Sequence, residues 1–358
     1  MNGTRGQILI GRRFNPRALP LLSGRAARGD RKLLRETRAL LVSENLLEDV
    51  ADTGSPLFVR RTDAGVLLFL LAGERGDLVV VKLATGPEAC ASLDGEAFAL
   101  TALTCETSLR GLRQLLPRIE LNGWLSAKRC LVTSGLPGQP ASESDSSLTE
   151  RALMRAASVA SALHEQTAET REVSADDIER WSDVAFMRLA ALDSGRLRPA
   201  LIHLRRELYT GLCGRRARLS WVHGDYWLGN VLVEPAAGEV RVTGIVDWDL
   251  AEPTALGATD VLHLLLTARA VAKKHEIGNV ISRHLLDPRW SRAERRILAA
   301  GEVWFEDPSE ERAAVLLTWL RHLSGNLGQP VGELRRRRWL RKNVDEVLRV
   351  VTPVGGRS

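Results

Sequence analysis

Short apolar runs separated by turns occupy residues 56–84, and they constrain the fold of this chain more than any other feature. The runs LFVRR, VLLFLLA and LVVVKLA alternate with the turn segments TDAG and GERGD. This alternation of apolar runs and turns is typical of antiparallel strands joined by tight connections. A helical pattern follows from about Glu88 to Leu103, and two further strand-like runs surround NGW, the second being KRCLVTS. The front of the chain therefore predicts an antiparallel sheet with one helix.

Beyond the linker-like segment GLPGQP the pattern becomes helical. Ser147 with Glu150, and Ser291 with Glu294, have the three-residue spacing of capping boxes at helix starts. Further helices are predicted at 174–192, at 197–212 and from Ser309 onward. One β-type island, residues 219–249, interrupts this helical half.

The strand-rich pattern of the front and the helical pattern of the back predict an α+β, two-lobed architecture. We expect an N-terminal extension over residues 1–50 with a helix at about 30–49, a front lobe over 51–134 and a mostly helical back lobe over 135–358. Tryptophans on apolar helical patterns ordinarily belong to the core, so Trp304 and Trp319 are expected there.

Composition excludes several classes of protein. No apolar run is long enough to cross a bilayer, so no membrane association is expected. The four cysteines show no CxxC pairing and lie far apart, which favours reduced thiols in a cytoplasmic protein. The net charge of +6 favours anionic partners such as nucleotide phosphates, while no nucleic-acid-binding signature accompanies it. We therefore expect no nucleic acid partner.

The β-type island carries the polar residues that point to chemistry. Asp225 follows a strand in VHGDYWLGNVLV, Asn230 lies five positions later, and Asp247 ends the next hairpin in TGIVDWD. Phosphoryl transfer needs a carboxylate beside the attacking hydroxyl and hard oxygen ligands that hold Mg²⁺ against the phosphates. Asp225 is the candidate for the first role, and Asn230 and Asp247 for the second.

The same two stretches resemble the catalytic and metal-binding motifs of the aminoglycoside phosphotransferase and choline kinase superfamily. The resemblance implies a protein-kinase-like fold and transfer of the γ-phosphate of ATP, with GTP left open, in the presence of Mg²⁺. It implies that Asp225 is the catalytic aspartate, with His223 in the same motif orienting its loop. It also implies that Asn230 is a Mg²⁺ ligand and that Asp247 bridges metal and phosphates.

Two further acids fall on positions of this family's pattern. Asp249 matches a variable acidic position, and its role stays open. Asp260, in GATDVLHLL, matches an aspartate at the start of the next helix, for which the resemblance implies a structural role.

A lysine in the front lobe would supply the cation that nucleotide phosphates need. Lys82 lies near the end of the run LVVVKLA, and Glu96 lies fourteen positions later on the predicted helix. This pair matches the lysine–glutamate pair of the family, in which the carboxylate holds the ammonium group. Glu88 is the competing partner, but its place in the first helical turn favours exposure to solvent.

The nucleotide loop departs from the family pattern. Between the first two strands there is a single glycine, Gly65, and neither GxGxxG nor a Walker A motif is present. Backbone amides near residues 64–66 are the remaining candidates for covering the phosphates. The segment Leu131–Leu136, with Thr133 and Gly135, matches the hinge that contacts the adenine edge in this family.

The acceptor is the least constrained part of the prediction. We favour a small molecule with a hydroxyl group, such as a sugar, an aminocyclitol or a nucleoside. A kinase for Ser or Thr of a peptide precursor and a non-catalytic, nucleotide-binding pseudokinase are the alternatives. The basic segment ELRRRRWLRKN is interpreted as a solvated helix face, with an anion-binding surface as the second interpretation. The oligomeric state is left open.

Overall fold

The computed structural model describes residues 58–62, 65–72, 78–109, 111–125, 127–143, 146–192, 197–236, 239–327 and 333–352, together with parts of 33–43. Within these ranges, no helix combines the length and the apolar character needed to span a bilayer.

The front of the chain forms a five-stranded antiparallel sheet with one helix. Its elements are β1 (Phe58–Arg61), β2 (Val66–Ala72), β3 (Leu78–Ala84), α1 (Pro87–Cys105), β4 (Ile119–Leu125) and β5 (Lys128–Ser134). The strands lie in the spatial order β1-β2-β3-β5-β4. Hairpin connections and the α1 crossover account for this order, as the turn pattern of the sequence predicts.

The two faces of this sheet bury different partners because successive side chains of a strand point to opposite sides. On one face, Val79, Val81 and Leu83 of β3 pack in a cluster that includes Leu33 and Leu41 of the N-terminal segment. The other face packs against α1. Residues 33, 35–37 and 39–43 are helical, which agrees with the helix predicted at about 30–49; the rest of that helix lies outside the described residues.

The back of the chain is mostly helical and holds the largest core cluster. Its first elements are β6 (Gln139–Pro140), α2 (Ser146–Thr167), β7 (Glu169–Glu172), α3 (Ala175–Ala191), α4 (Arg198–Leu212), β8 (Arg216–Val222), β9 (Val231–Ala236), β10 (Glu239–Ile245) and β11 (Glu252–Leu256). They are followed by α5 (Ala258–Lys273), α6 (Ile277–Leu286), α7 (Arg292–Ala300), α8 (Pro308–Asn326), α9 (Glu333–Leu340), a π-helical turn (Arg341–Asp345) and α10 (Glu346–Val351).

The β-type island divides between two small sheets. The hairpin β9–β10 pairs with β6, whereas β8 pairs with β7 and β11. The loop between β8 and β9 and the segment after β10 therefore emerge from neighbouring sheets. This division brings together the polar segments that the sequence singled out.

Three local predictions were wrong. The NGW segment lies inside β4, and the turn falls at Ala127, whose φ of 63° is left-handed. α8 begins at Pro308, one residue before the predicted Ser309, and Asp307 caps it by accepting from the backbone N–H groups of Ser309 and Glu310. Trp319 is fully buried as expected, but Trp304 lies in a connection and is 69% exposed.

The predicted α+β class, with an antiparallel sheet in front and a helical back, is confirmed. The capping box at Ser291 and Glu294 forms as predicted. In the basic C-terminal segment, Val344, Val347 and Val351 turn inward and are buried, whereas the side chains of 336–338 are exposed. The domain boundaries at 50 and 134 remain predictions.

We predict that Gly211→Ala destabilises the fold by about 1–3 kcal/mol, the usual cost of overpacking. A methyl group at this position of α4 would lie 2.4 Å from Ala313 Cβ and 2.5 Å from the backbone oxygen of Ser309, both on α8. Urea unfolding measures the change. Gly111→Ala is the control, because no atom lies within 4 Å of its added methyl group. Equal stability of the two variants would contradict this packing.

Candidate functional site

Lys82 lies on β3 and points to the face of the sheet that α1 covers, opposite to its neighbours Val81 and Leu83. Its ammonium nitrogen is 2.8 Å from both carboxylate oxygens of Glu96 on α1. Lys82 and Glu96 are only 8% and 2% exposed. Glu88, the competing candidate, is exposed in the first turn of the helix. The structure therefore pairs Lys82 with Glu96, the partner favoured from the sequence.

A second carboxylate reaches the same ammonium group from the back of the molecule. Asp247 Oδ1 lies 2.6 Å from Lys82 Nζ. Burial by itself would lower the pKa of Lys82, but the charges of Asp247 and Glu96 raise the pKa above its ordinary value, so the lysine stays protonated. Asp247 has a left-handed φ of 62°, and its side chain is half exposed beside the ion pair.

The loop between β8 and β9 presents Asp225 and Asn230 together. The side-chain amide of Asn230 donates to the backbone oxygen of Asp225 at 2.9 Å and to its Oδ2 at 3.1 Å. Gly224, with φ of 83°, begins this loop, and a methyl group there would lie 2.1 Å from the backbone oxygen of Leu250. Only glycine fits this close approach of two backbones.

His223 ties this loop to the segment that carries Asp247. The backbone oxygen of Val246 can only accept, so His223 Nε2, 2.9 Å away, carries the proton and donates. His223 Nδ1 then accepts from the backbone N–H of Asp225 at 3.3 Å. The backbone N–H of Val246 also donates to the backbone oxygen of Asn230 at 3.0 Å. Both ring nitrogens of the buried His223 are therefore used in holding the loop.

Asp260 anchors the same loop from the first turn of α5. Its carboxylate accepts from the backbone N–H groups of His223 at 2.7 Å and Gly224 at 3.0 Å, and it lies 3.1 Å from His164 Nε2. Burial alone would raise the pKa of Asp260, but the hydrogen bond and charge of His164 and the contacts with His223 outweigh it and lower the pKa to about 2. Asp260 is buried away from solvent.

Asp249 contacts the front of the molecule. Ser92 of α1 donates its hydroxyl to Asp249 Oδ2 at 2.7 Å. Burial, together with the charge of Asp247, raises the pKa of Asp249 to about 6 against the lowering effect of the Ser92 hydrogen bond. A methyl group at Gly95 would lie 2.8 Å from the backbone oxygen of Asp249. This segment therefore packs closely on α1.

Asn230 and Asp247 fit the ligand set expected for Mg²⁺. The described residues contain no group of three or more His, Cys, Asp or Glu side chains with metal-binding geometry. Mg²⁺ in nucleotide sites commonly takes one or two protein oxygens and obtains the rest from phosphates and water. The amide nitrogen of Asn230 is held by Asp225, which leaves the amide oxygen as its donor atom.

The remaining predicted residues lie elsewhere on the front sheet. Gly65, with φ of 84°, forms the turn before β2, and its backbone oxygen accepts from the Thr85 hydroxyl at 2.5 Å. Thr133 is buried within β5. Gly135 approaches Leu78 so closely that an added methyl group would lie 2.3 Å from Leu78 Cβ. Their nucleotide-binding roles stay predictions, and Ala64 lies outside the described residues.

Two histidines behind Asp225 were not predicted as site residues from the sequence. His263 of α5 and His322 of α8 are neighbours in the structure, and His263 Nε2 is 3.7 Å from Asp225 Oδ1. His263 lies on an apolar helical pattern and His322 on a separate helix. The local sequence therefore gave no indication that the two histidines lie together, except that His263 comes one helical turn after Asp260.

The model of the phosphotransferase enzyme family matches residues 69–270, more than half of the chain. Comparison with curated proteins returns no match.

Three solved structures have the same overall fold. Aminoglycoside phosphotransferase APH(3'')-Id from Streptomyces rimosus is 21% identical, with a TM-score of 0.51 over 80% of this chain and 98% of its own. A thermostable mutant of APH(4)-Ia, in a ternary complex with ADP and hygromycin B, is 15% identical, with a TM-score of 0.56 over 87% and 97%. The GDP complex of aminoglycoside 2'-phosphotransferase-IIIa is 15% identical, with a TM-score of 0.54 over 88% and 96%.

We predict that Asp260→Asn destabilises the protein by about 3 kcal/mol at pH 7, because it removes a buried charge that three groups depend on. The pKa of Asp260 is depressed from 3.8 to about 2, so its contribution is complete above pH 3.8 and is lost as the pH falls toward 2. Urea unfolding at pH 7 and pH 3 should therefore show a smaller difference from the unaltered protein at pH 3. Asp345→Asn, at an exposed position, is the control. A difference that does not change with pH would contradict the assignment.

Proposed function

Because this chain belongs to the phosphotransferase enzyme family, we propose that it transfers the γ-phosphate of ATP to a hydroxyl group of a small molecule. The enzyme class predicted from the two motifs, a kinase-type phosphotransferase with an alcohol group as acceptor, is confirmed by the family match, and the kinase-like fold by the solved structures. ATP is the donor we propose, with GTP as the alternative, since neighbours of the same fold have been solved with ADP and with GDP.

The observation that carries the proposal is the position of Lys82. Its ammonium group lies between Glu96 of α1 and Asp247 of the back, within 2.8 Å of the first and 2.6 Å of the second. A fixed cation at such a junction can hold the phosphates of a nucleotide. Asp225 and Asn230 are joined to the Asp247 segment through Val246 and His223. Cation, carboxylates and amide therefore share one rigid constellation.

Asp225 is the residue we propose beside the attacking hydroxyl. Its side chain is 35% exposed, so an acceptor can reach it, and Asn230 fixes one of its oxygens. As the acceptor oxygen bonds to the γ-phosphorus and the bond to the leaving ADP oxygen breaks, the hydroxyl proton passes to the Asp225 carboxylate. His223 and Asp260 position this carboxylate and do not contact the reacting atoms.

Asn230 and Asp247 are the residues we propose for holding Mg²⁺. When bound, the ion neutralises the charge of the triphosphate and orients its terminal group. Lys82 lies beside Asp247, so it limits which orientation the Asp247 carboxylate can adopt. Lys82 itself remains charged because two carboxylates surround it.

The positive charge of the chain does not favour a strongly cationic molecule as the acceptor. Arg336, Arg337 and Arg338 are exposed on α9, and the net charge is +6. A polycationic substrate binds best to an acidic surface. Neutral or acidic hydroxyl compounds are therefore the first acceptors to test, with Ser- and Thr-containing peptides as the alternative class.

We predict ADP release from MgATP in the presence of one class within a panel of sugars, aminocyclitols, nucleosides and peptides. Asp225→Asn should lower this release by about 100-fold or more, because the amide cannot accept the hydroxyl proton. Nucleotide binding should remain close to that of the unaltered protein. No release with any member of the panel would contradict the proposed reaction, and full activity of Asp225→Asn would remove its assigned role.

We also predict that Asp247→Ala weakens Mg²⁺-dependent ATP binding by at least about tenfold, because it removes an anionic ligand that water replaces poorly. Calorimetric titration of ATP with and without Mg²⁺ measures the change. Glu88→Ala is the control, since this acid of α1 is exposed and Lys82 bonds to Glu96 instead. An Asp247→Ala protein whose ATP affinity responds to Mg²⁺ as before would rule out the ligand role.

A further inference from the structure

Arg321 is a nearly buried arginine beside the loop that carries Asp225. It lies on α8, and its side chain is 10% exposed. Its Nη1 atom lies 2.5 Å from Oε2 of Glu252 on β11. A methyl group added at Gly224 would lie 3.1 Å from its Nη2 atom. Because Gly224 directly precedes Asp225, the guanidinium group borders the part of the site where we place the acceptor.

The other two nitrogens of this guanidinium group lack a hydrogen-bond partner within the described part of the chain. Nε is buried and unpaired, and Nη2 donates to no described residue. Nε and Nη2 form the edge of an arginine that can hold both oxygens of a carboxylate or of a phosphate. Leaving a buried donor unpaired lowers stability, so packing alone does not explain this edge.

Arg129 shows how a structural arginine is held in the same protein. Its side chain is 9% exposed, about as little as that of Arg321. Its Nε donates to Asp94 at 2.7 Å, its Nη1 donates to two backbone oxygens, and its Nη2 donates to the side-chain oxygen of Asn122. Every nitrogen of Arg129 therefore has a partner, whereas Arg321 uses one of its three.

The single carboxylate that contacts Arg321 is shared with a second arginine. Arg180 of α3 places its Nε 3.4 Å from Oε1 of Glu252. Asp177, which also contacts Arg180, accepts two hydrogen bonds from Arg171. Glu252 therefore divides one negative charge between Arg180 and Arg321.

Arg188 adds positive charge on the same side of the molecule. It lies on α3, and its Nη1 donates to the backbone oxygen of Ser324, one turn of α8 beyond Arg321. Within the described ranges, no carboxylate oxygen lies within 4 Å of its guanidinium nitrogens. An anionic group that reaches Arg321 is therefore attracted from both helices.

We propose that Arg321 binds an anionic group of the acceptor, so that the substrates are hydroxyl compounds that also carry a carboxylate or a phosphate. The proposal rests on the proposed function, because it places the acceptor hydroxyl beside Asp225. Nη2 contacts the anion first, since Nε is covered, and a small turn of the side chain brings Nε to the second oxygen. The Asp225 carboxylate repels the anion and accepts the hydroxyl, so the acceptor binds in one orientation.

Matched acceptors test the substrate class. The compound that gives the fastest ADP release in the panel is compared with its own carboxylate and phosphate derivatives. For a sugar the set is glucose, glucuronate and glucose 6-phosphate. We expect kcat/KM to be at least about tenfold higher for one acidic derivative than for the neutral parent, and the two derivatives distinguish a carboxylate from a phosphate. A neutral parent that is as good as both derivatives would overturn the proposal.

Substitution of Arg321 should affect the acidic acceptor alone. Arg321→Gln should raise its KM by about 10- to 100-fold, because charge-assisted hydrogen bonds are lost. KM for ATP and for the neutral parent should change by less than about threefold. Arg321→Lys keeps the charge without the planar edge and should give an intermediate KM. An equal rise in KM for acidic and neutral acceptors would contradict anion binding.

Glu252→Gln separates anion binding from a purely structural clamp on β11. The glutamine oxygen can still accept from Arg321, but the competing negative charge is gone. KM for the acidic acceptor should therefore stay unchanged or fall. A rise like that of Arg321→Gln would show that the pair only holds β11, and it would overturn the proposal. Arg218→Gln, which breaks an exposed 2.9 Å ion pair with Glu302, is the control and should change no KM.

Nitrogen NMR of the arginine Nε–H groups tests the anion site without turnover. The signal that disappears in Arg321→Lys belongs to Arg321. With Mg²⁺ and a non-hydrolysable ATP analogue bound, glucuronate or glucose 6-phosphate should shift this signal, and glucose should not.

The NMR titration also separates the two proposals. If no compound in the panel gives ADP, the proposed function fails, whereas a shift with either acidic sugar would still establish the anion site. If the Arg321 signal moves with neither acidic sugar, or moves equally with glucose, the anion site is overturned even when the enzyme turns over.

Discussion

The contact on which the site depends is the ion pair cluster around Lys82. Removing an ammonium and a carboxylate from water is costly unless each keeps a close partner. Lys82 meets this condition with Glu96 and with Asp247, at 2.8 and 2.6 Å. The first contact is internal to the front sheet and its helix, whereas the second joins that sheet to the back of the molecule. One charge therefore joins the front sheet and its helix to the segment that carries Asp247.

The loop that carries Asp225 is held by a second, independent set of polar contacts. The Asp260 carboxylate accepts hydrogen bonds from two backbone N–H groups of the loop. His223 donates from Nε2 to the backbone oxygen of Val246 and accepts at Nδ1 from the backbone N–H of Asp225. The polar atoms of both buried side chains, His223 and Asp260, have partners, which is the condition under which such networks make a backbone rigid. The side chain of Asp225 therefore remains partly exposed while its backbone is fixed. His263 lies behind the same residue and contacts the backbone oxygen of Tyr226 in this loop.

The wrong local predictions share one cause: the short sequence patterns on which they rest are compatible with more than one structure. Asp307 and Ser309 are both good helix caps, and only the backbone geometry places Asp307 at the start of α8. The NGW segment has the composition of a turn, yet pairing with β5 keeps it in a strand. Trp304 was assigned to the core from its residue type, although it lies in a connection that leaves it exposed. In each case contacts that form only in the folded protein decided the local structure.

The sequence by itself determined the fold class, the order of elements and the residues of the β-type island, because hydrophobic periodicity and turn residues act over short distances. It also predicted that Asp225, Asn230 and Asp247 lie near one another, since they occupy the ends of strands that follow one another in the chain. Only the tertiary structure decided that Asp247 pairs with Lys82, that Asp249 packs on α1 and that His263 and His322 meet behind Asp225. These contacts join residues up to 165 positions apart. They arise because whole helices and strands pack together, and no periodic pattern in the sequence predicts them.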